Sequence, residues 1–316
     1  MPDTSPSVLI VRLDAIGDAL ALTPLVAALR ARGCGVGIVL RTVNAQVFAP
    51  GAFDRIHVED GARAIAAFGY THALVATEDP RGYKLAAAAR IPVRIGFDNG
   101  WGKPLKTLWV RRICTRTVRR TAGLDARAPH EAAVLYELGR SILGPVAEPS
   151  RDPRVLRPLV IESDPPADSR VVLQVTDKWE RLGAPLSGLT DLAARIAARH
   201  GLRAIAAARE SPYADRFSAA TGIPVERFTA LPPWKAAIAA ARVVVAPDSG
   251  ALHVAGMTGT PTVALFAATP EFRLQSARWA PWAAPHRIVA MDGAWPTVAA
   301  DAVGDLLSGR RRIYTG

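Results

Sequence analysis

Cysteine is nearly absent from this 316-residue chain, which contains only Cys34 and Cys114. Two cysteines cannot build a multiple-disulfide framework or a cysteine-based metal site, and their scarcity favours a reducing compartment. Aromatic residues are also few, at 6% of the chain. They are not interleaved with the basic residues as in base-stacking surfaces, and no zinc-finger or RNP-like pattern occurs. We therefore expect no metal site and no nucleic-acid partner.

Long apolar runs are missing as well. No stretch of 18 consecutive apolar residues occurs, so no membrane-spanning helix is expected. The first seven residues lack a basic segment followed by an apolar one, so a secretory signal is not expected either. Half of the residues are nevertheless hydrophobic, and the length suffices for two domains with full cores. The sequence predicts a cytoplasmic protein with two domains.

Positive charge is abundant and concentrated in one window. The formal net charge is +11, and the window from Arg81 to Arg127 holds twelve Lys and Arg residues against two acids, Asp98 and Asp125. Such a surface attracts partners rich in phosphates or carboxylates. The alternative, that these arginines form an ordinary solvated surface, stays open.

Two strand–turn–helix units lie near opposite ends of the chain. The first runs from an apolar stretch, Val8–Val11, through a turn at 14–18 to a helical pattern at 19–31. In the second, the β-branched run 242–246 predicts a buried strand, and residues 248–250 predict a turn that caps the next helix. A helix N-terminus suits an anion such as a phosphate. We expect two α/β domains facing each other across a cleft.

The pattern between these units alternates apolar runs with helical segments, which favours mostly parallel sheets. Further strands are predicted at 35–40, 72–76, 92–96, 170–174, 202–207 and 262–266, and helices at 82–90, 130–143, 188–200, 211–221, 231–241 and 297–308. Residues 101–127 show no clear period and are predicted to be irregular. The proline-rich stretch 145–169 is predicted to connect a domain at 1–150 to one at 165–316. The last helix could cross back to the first domain.

Three motifs in this framework resemble glycosyltransferase family 9, the bacterial ADP-heptose:lipopolysaccharide heptosyltransferases. They are Val-Arg-Leu-Asp-Ala-Ile-Gly-Asp at 11–18 with Thr23-Pro24 after it, Asp-Ser-Gly-Ala-Leu-His at 248–253 with Thr269 beyond the next strand, and Lys178-Trp179. Two details depart from the family pattern. Ala267 stands where the family usually has glycine, and Glu180 follows Trp179 where the family often has proline.

The resemblance implies a GT-B fold, with two Rossmann-like domains and an active site between them. It also implies an inverting transfer without an obligatory metal or cofactor. The first domain would bind the acceptor and the second the nucleotide-sugar donor, ADP-heptose. The acceptor would be an anionic glycolipid or glycan such as the lipopolysaccharide inner core. The enzyme would then work at the cytoplasmic face of the inner membrane, attached peripherally by its basic surface.

The resemblance also implies a role for each matching residue. Asp18 would be the general base, and Lys178 would neutralise the charge on the leaving diphosphate. Donor contacts would come from Asp248, Ser249, Gly250, His253 and Thr269. Thr176 and Glu210 are added to the donor site because each follows a predicted strand, and Arg12, Asp14 and Gly17 are predicted to contact the acceptor because they lie at the first turn. Structural roles remain open for several of them: Asp18 could simply cap its helix, and His253 could be a core histidine.

Two other functions stay open. A relative that uses another nucleotide sugar or acceptor would show the same motifs, and so would a non-catalytic nucleotide- or glycan-binding protein. A nucleotide-dependent oxidoreductase is disfavoured because the first turn lacks the G-x-G-x-x-G fingerprint.

Overall fold

The chain divides into two compact units, Met1–Arg151 and Asp152–Gly316. The computed structural model describes residues 6–58, 60–120 and 129–309. Each unit contains a parallel sheet of six strands with helices between the strands, so the expected α/β architecture is confirmed. Among the described residues, no helix is both long enough and apolar enough to cross a membrane.

The elements of the first unit alternate along the chain. Its strands are Ser7–Val11 (β1), Gly35–Leu40 (β2), Arg55–Val58 (β3), His72–Val75 (β4), Val93–Asp98 (β5) and Arg116–Arg119 (β6). Its helices are Ile16–Leu20 (α1), Thr23–Ala31 (α2), Ala62–Ala66 (α3), Pro80–Ala88 (α4), Pro104–Ile113 (α5), Glu131–Tyr136 (α6) and Arg140–Leu143 (α7).

The second unit repeats this alternation. Its strands are Asp168–Gln174 (β7), Leu202–Ala207 (β8), Val225–Phe228 (β9), Ala241–Pro247 (β10), Thr262–Ala267 (β11) and His286–Met291 (β12). Its helices are Pro153–Leu156 (α8), Lys178–Arg181 (α9), Leu186–Ala197 (α10), Ser211–Thr221 (α11), Leu231–Ala240 (α12), Gly250–Thr258 (α13), Phe272–Trp279 (α14) and Trp295–Ser308 (α15).

The two sheets have the same strand order. In space the strands run β3-β2-β1-β4-β5-β6 in the first unit and β9-β8-β7-β10-β11-β12 in the second, which is the order of the Rossmann fold. In each sheet the first and fourth strands are neighbours, β1 beside β4 and β7 beside β10. Ligands of such sheets bind beyond the carboxyl ends of these two strands, where the strand order reverses.

The last described helix belongs to the core of the second unit. Trp295, Ala299 and Val303 of α15 are buried together with Val243 and Val263 of the sheet. The apolar face of this helix therefore covers the sheet of its own unit.

The expectation of an irregular segment at 101–127 is wrong for the part that the structure describes. A 3-10 turn at Gly100–Gly102 leads into α5, and β6 follows; residues 121–127 lie outside the described residues. The helix was missed because Leu105 and Leu108 lie on its exposed side, so apolar residues occur on both faces and hide the period.

The predicted helix at 19–31 is two helices, α1 and α2, with a break at Ala21 and Leu22. Pro24 has no N–H to donate to the carbonyl of Leu20, so a continuous helix would lose that hydrogen bond. The Thr23 hydroxyl donates to this carbonyl instead, at 2.6 Å.

A largely buried polar chain runs from Asp60 through His57 of β3 to Tyr70. The ring of His57 contacts Asp60 Oδ2 through Nδ1 at 2.6 Å and the Tyr70 hydroxyl through Nε2 at 2.8 Å. Burial raises the pKa of Tyr70 to about 12. A Cβ at Gly37 would overlap this hydroxyl and lie 2.7 Å from the ring carbon that carries it. Glycine at position 37 therefore makes the room for Tyr70.

Candidate functional site

Arg12 organises the carboxyl edge of the first sheet. It follows β1 directly and is buried, and its guanidinium donates to the Ala76 carbonyl at the end of β4. The same group donates to Asp18 Oδ1 at 2.9 Å and lies 3.3 Å from Asp14 Oδ2. Arg12 therefore joins the two strands at the reversal point and holds two carboxylates beside it.

Asp18 lies at the third position of α1 and has two partners. Its Oδ1 accepts from Arg12, and its Oδ2 accepts from the backbone N–H of Ala15 at 3.2 Å. The second contact caps the N-terminus of α1. Asp18 therefore does have the capping role that the sequence analysis gave as the alternative to catalysis. The side chain is nevertheless about one-third exposed, so a substrate hydroxyl can reach this oriented carboxylate.

Asp14 and Gly17 complete the loop between β1 and α1. Burial raises the pKa of Asp14 above its ordinary value, and the nearby carboxylates of Asp18 and Glu78 add to this against the opposing effect of Arg12. The backbone carbonyl of Asp14 accepts from the Asn44 side chain at 2.7 Å, which fixes the loop. Gly17 is buried within α1.

Four charged residues that lie outside the sequence motifs extend this network. Glu131, at the start of α6, is buried and lies 3.9 Å from Arg12 and 2.8 Å from Arg120. Arg120 in turn lies 3.8 Å from Glu78, which also pairs with Lys106. Arg120 directly follows β6, so correct prediction of that strand would have placed it at this edge of the sheet.

In the second unit, Lys178 is positioned by its neighbour Trp179. The Trp179 side chain is fully buried, donates to the Gln174 carbonyl at 2.9 Å and stacks on Trp295 with ring centroids 5.6 Å apart. Because this anchor fixes α9 at the end of β7, Lys178 is held at the carboxyl edge of the sheet.

Lys178 and the motif after β10 meet at this edge. The ammonium of Lys178 lies 3.9 Å from Asp248 Oδ2, and His253 Nε2 lies 3.8 Å from Asp248 Oδ1. Burial alone would raise the pKa of Asp248, but His253 and Lys178 outweigh it and lower this pKa below its ordinary value. His253 is buried and packs edge-to-face against Trp279 at 5.5 Å. Asp248 is therefore an anion between two basic groups.

Ser249 occupies the N-cap position of α13, but its side chain makes no capping hydrogen bond. Its Oγ is buried without a hydrogen-bond partner among the described residues. Gly250 then begins the helix, where the first-turn N–H groups have no partner within the helix. A hydroxyl and helix N–H groups at this point can bind an anion.

The other three residues predicted to bind the donor, Thr176, Glu210 and Thr269, differ in position and contacts. Thr176 is buried at the end of β7, and its hydroxyl accepts from the Lys178 N–H at 3.3 Å. Glu210 accepts from the Asp177 N–H at 3.1 Å and so braces the loop that carries Lys178. Thr269 is exposed on a turn after β11. The structure thus brings Thr176, Lys178, Asp248 and His253 together and leaves Thr269 at the surface.

Within the described ranges, 6–58, 60–120 and 129–309, no three His, Cys, Asp or Glu side chains are arranged to hold a metal ion. The cations at both sites are instead side chains of the protein, Arg12 in the first unit and Lys178 in the second.

Comparisons with known proteins support one family. The model of glycosyltransferase family 9 (heptosyltransferase) matches residues 227–300, which include Asp248, Ser249, Gly250, His253 and Thr269. No curated protein sequence matches the chain.

Solved structures resemble the chain over nearly its whole length. A glycosyl transferase family 9 protein from Veillonella parvula is 16% identical with a TM-score of 0.71, covering 96% of this chain and 98% of that one. Heptosyltransferase WaaC of E. coli, solved with ADP, is 18% identical with a TM-score of 0.70, covering 96% and 99%. ADP-heptose lps heptosyltransferase II of E. coli is 15% identical with a TM-score of 0.70 and the same coverage.

At these identities the structural likeness establishes the fold, and the predicted GT-B fold of two Rossmann-like domains is confirmed. The family model adds the motif of the second unit. Together, these findings confirm the resemblance to glycosyltransferase family 9 and identify the chain as a glycosyltransferase.

Proposed function

We propose that the chain transfers a heptose from ADP-heptose to an anionic glycan acceptor, such as the inner core of lipopolysaccharide, with inversion at the anomeric carbon. The observation that carries the proposal is the cluster at the β7–β10 edge. There Lys178 lies 3.9 Å from Asp248, and the next residue, Ser249, has a hydroxyl without a hydrogen-bond partner among the described residues and precedes the N-terminus of α13. These are groups that bind a diphosphate.

The first unit supplies the acceptor side. Its window from Arg81 to Arg127 carries the large basic excess, which suits a carboxylate- and phosphate-rich acceptor. Arg12, Asp14 and Gly17 are the proposed acceptor residues beside Asp18. A lipid-linked acceptor places the reaction at the cytoplasmic face of the inner membrane, with the protein attached peripherally.

The proposed reaction is a direct displacement. Asp18 takes the proton of the acceptor hydroxyl, whose oxygen forms a bond to the anomeric carbon. The bond from that carbon to the diphosphate oxygen breaks on the opposite face, and its electron pair leaves with ADP. Lys178 and the α13 N-terminus stabilise this charge, so no metal is needed for the step. Asp248 and His253 orient Lys178, while Thr176, Glu210 and Thr269 contribute to the donor site.

The test is a donor panel with purified protein. Calorimetry against ADP, UDP, GDP and their sugars should show selective binding of ADP and ADP-heptose. Lys178→Met should weaken ADP binding by about tenfold or more, because a charge-assisted contact to phosphate is lost. Asp18→Asn should leave ADP binding unchanged and lower kcat for transfer by about 100-fold or more.

Matched variants serve as controls. Lys84→Met and Asp301→Asn change exposed residues of the same types and should alter neither quantity. If the protein preferred UDP or GDP, the proposed donor would be wrong, but the proposed reaction, glycosyl transfer, would stand. Nucleotide binding with no turnover, unaffected by Asp18→Asn, would instead indicate a non-catalytic binding protein.

A further inference from the structure

Three large apolar side chains are exposed around the start of α5. Trp101 is 90% exposed, Leu105 83% and Leu108 58%. Leu105 and Leu108 are three positions apart and so share one face of α5, and Trp101 lies on the 3-10 turn that leads into the helix; these three residues are called the exposed stripe. Exposed tryptophan and leucine in a contiguous stripe mark an interaction surface.

The opposite side of α5 holds the helix in the first unit. Thr107 and Val110 are buried, and Trp109 packs against Tyr83 with ring centroids 5.5 Å apart. The exposed stripe is therefore not part of the contacts that fix the helix. Its side chains can be exchanged for polar ones without opening the core.

The stripe lies within a strongly basic segment. Residues 99–120 contain seven Lys and Arg residues and no Asp or Glu. Lys103, Arg112 and Arg119 are exposed, and the Arg119 guanidinium lies beside Gly100 in the turn that carries Trp101. Cationic side chains thus border the apolar stripe.

We propose that this α5 surface, formed by Trp101, Leu105 and Leu108 with Lys103, Arg112 and Arg119, docks on an anionic lipid bilayer. Tryptophan and leucine side chains insert at the level of the headgroups, while Lys and Arg side chains attract anionic headgroups. A second copy of the same surface is disfavoured, because a symmetric contact would bring like charges together. The choice of a membrane rests on the proposed lipid-linked acceptor.

The test is vesicle co-sedimentation of the full chain, with phosphatidylcholine alone and with phosphatidylglycerol added. We expect binding to the anionic vesicles only, and weaker binding as salt is raised. The triple variant Trp101→Ser/Leu105→Ser/Leu108→Ser should lower the partition coefficient by about tenfold or more. Arg112→Gln/Arg119→Gln should lower it as well, by about tenfold.

Two control variants change matched residues elsewhere. Val146→Ser/Val155→Ser alters other exposed apolar side chains, and Arg63→Gln/Arg242→Gln removes two other exposed charges. Both should bind as the parent does. The proposal would be overturned if the triple variant bound anionic vesicles as well as the parent does, or if the parent bound neutral and anionic vesicles equally. It would also be overturned if the parent and both control variants formed a dimer in solution and the triple variant did not.

Donor binding and transfer to a soluble acceptor are measured on the same samples. The triple variant should retain both, because none of its three residues belongs to the proposed catalytic or donor groups. Failure of vesicle binding with donor binding intact would reject the docking surface alone. Failure of donor binding would reject the proposed function instead.

Discussion

Arg12 is the most constrained side chain of the first unit's site. It is buried, and the carboxylates of Asp14, Asp18 and Glu131 lie within 4 Å of it. A buried guanidinium requires such partners, because its charge is costly to remove from water. We therefore expect Glu131, which is 113 positions from Asp18 in the sequence, to help orient Asp18 through Arg12.

We expect Glu131→Gln to test this dependence. Loss of one buried charge leaves Arg12 and Arg120 less compensated, so the free energy of unfolding should fall by about 3 kcal/mol. A displaced Asp18 should lower kcat by about tenfold with KM for the donor unchanged. Urea denaturation and steady-state kinetics measure the two effects.

Glu137→Gln is the matched control, because Glu137 pairs with Arg140 at a partly exposed position in the same unit. Its effect on stability should stay below about 1 kcal/mol. A Glu131→Gln enzyme as stable and as active as the parent would show that Arg12 does not need this partner.

At the scale of elements, the apolar pattern predicts the interior strands and misses the edge strands. All eight interior strands follow from apolar runs, and Gly35–Leu40 and Leu202–Ala207 have the predicted bounds. The four missed strands, β3, β6, β9 and β12, are the four sheet edges. An edge strand faces solvent on one side, so β3, β6 and β9 carry charged or polar residues such as Arg116 and Glu226 and have no apolar run. The edge strand β12 does contain a short apolar run, at 288–291, and is not among the predicted strands.

The same limit applies to the candidate sites. Arg12, Thr176 and Asp248 follow interior strands, so the pattern alone predicts their place at the carboxyl edges of the sheets. Arg120 follows an edge strand and Glu131 begins a helix, so neither could be placed there from apolar runs. Their contribution depends on long-range packing, which a single sequence does not encode in any local period.

Asp168 links the start of β7 to the start of β8 through ion pairs. It pairs with Arg170 on β7 and Arg203 on β8, at 2.8 and 3.1 Å. The hydrogen bond from Arg170 is the main cause that lowers the pKa of Asp168 from 3.8 to about 2. Because the folded-state pKa is the lower one, the stabilisation is complete above the unfolded value and is lost as the pH falls towards about 2.

Asp168→Asn should therefore lower the free energy of unfolding by about 1 to 2 kcal/mol at neutral pH. The difference from the parent should shrink as the pH is lowered from 4 to 2, a window set by the two pKa values. Urea denaturation at several pH values measures it. Asp191→Asn, which removes an exposed pair with Arg195 on α10, should change stability by no more than about 0.5 kcal/mol at any pH. If Asp168→Asn lowered the free energy of unfolding equally at every pH, the stabilisation would not come from the lowered pKa of Asp168.

At the scale of the whole molecule, the second unit has the means to fold alone. The second unit has a continuous apolar core that joins β7, β8, β10 and β11 to α10, α11 and α15. It also contains all the residues proposed to bind the donor. The strand order of its sheet is complete without any strand from the first unit.

We accordingly expect residues 152–316, expressed alone, to unfold cooperatively and to bind ADP. Calorimetry should show binding that Lys178→Met weakens by about tenfold or more. Residues 1–151 should show no ADP binding under the same conditions. A folded second unit that does not bind ADP would show that the donor site needs residues of the first unit.

The close fit of Tyr70 against Gly37 has a consequence for the history of the chain. Any larger residue at position 37 overlaps the tyrosine, so a change there is tolerated only after Tyr70 has become smaller. Loss of the tyrosine in turn removes the partner of His57 Nε2. Homologous chains should therefore inherit these three positions as a linked set, and a mutation at position 37 should follow one at position 70.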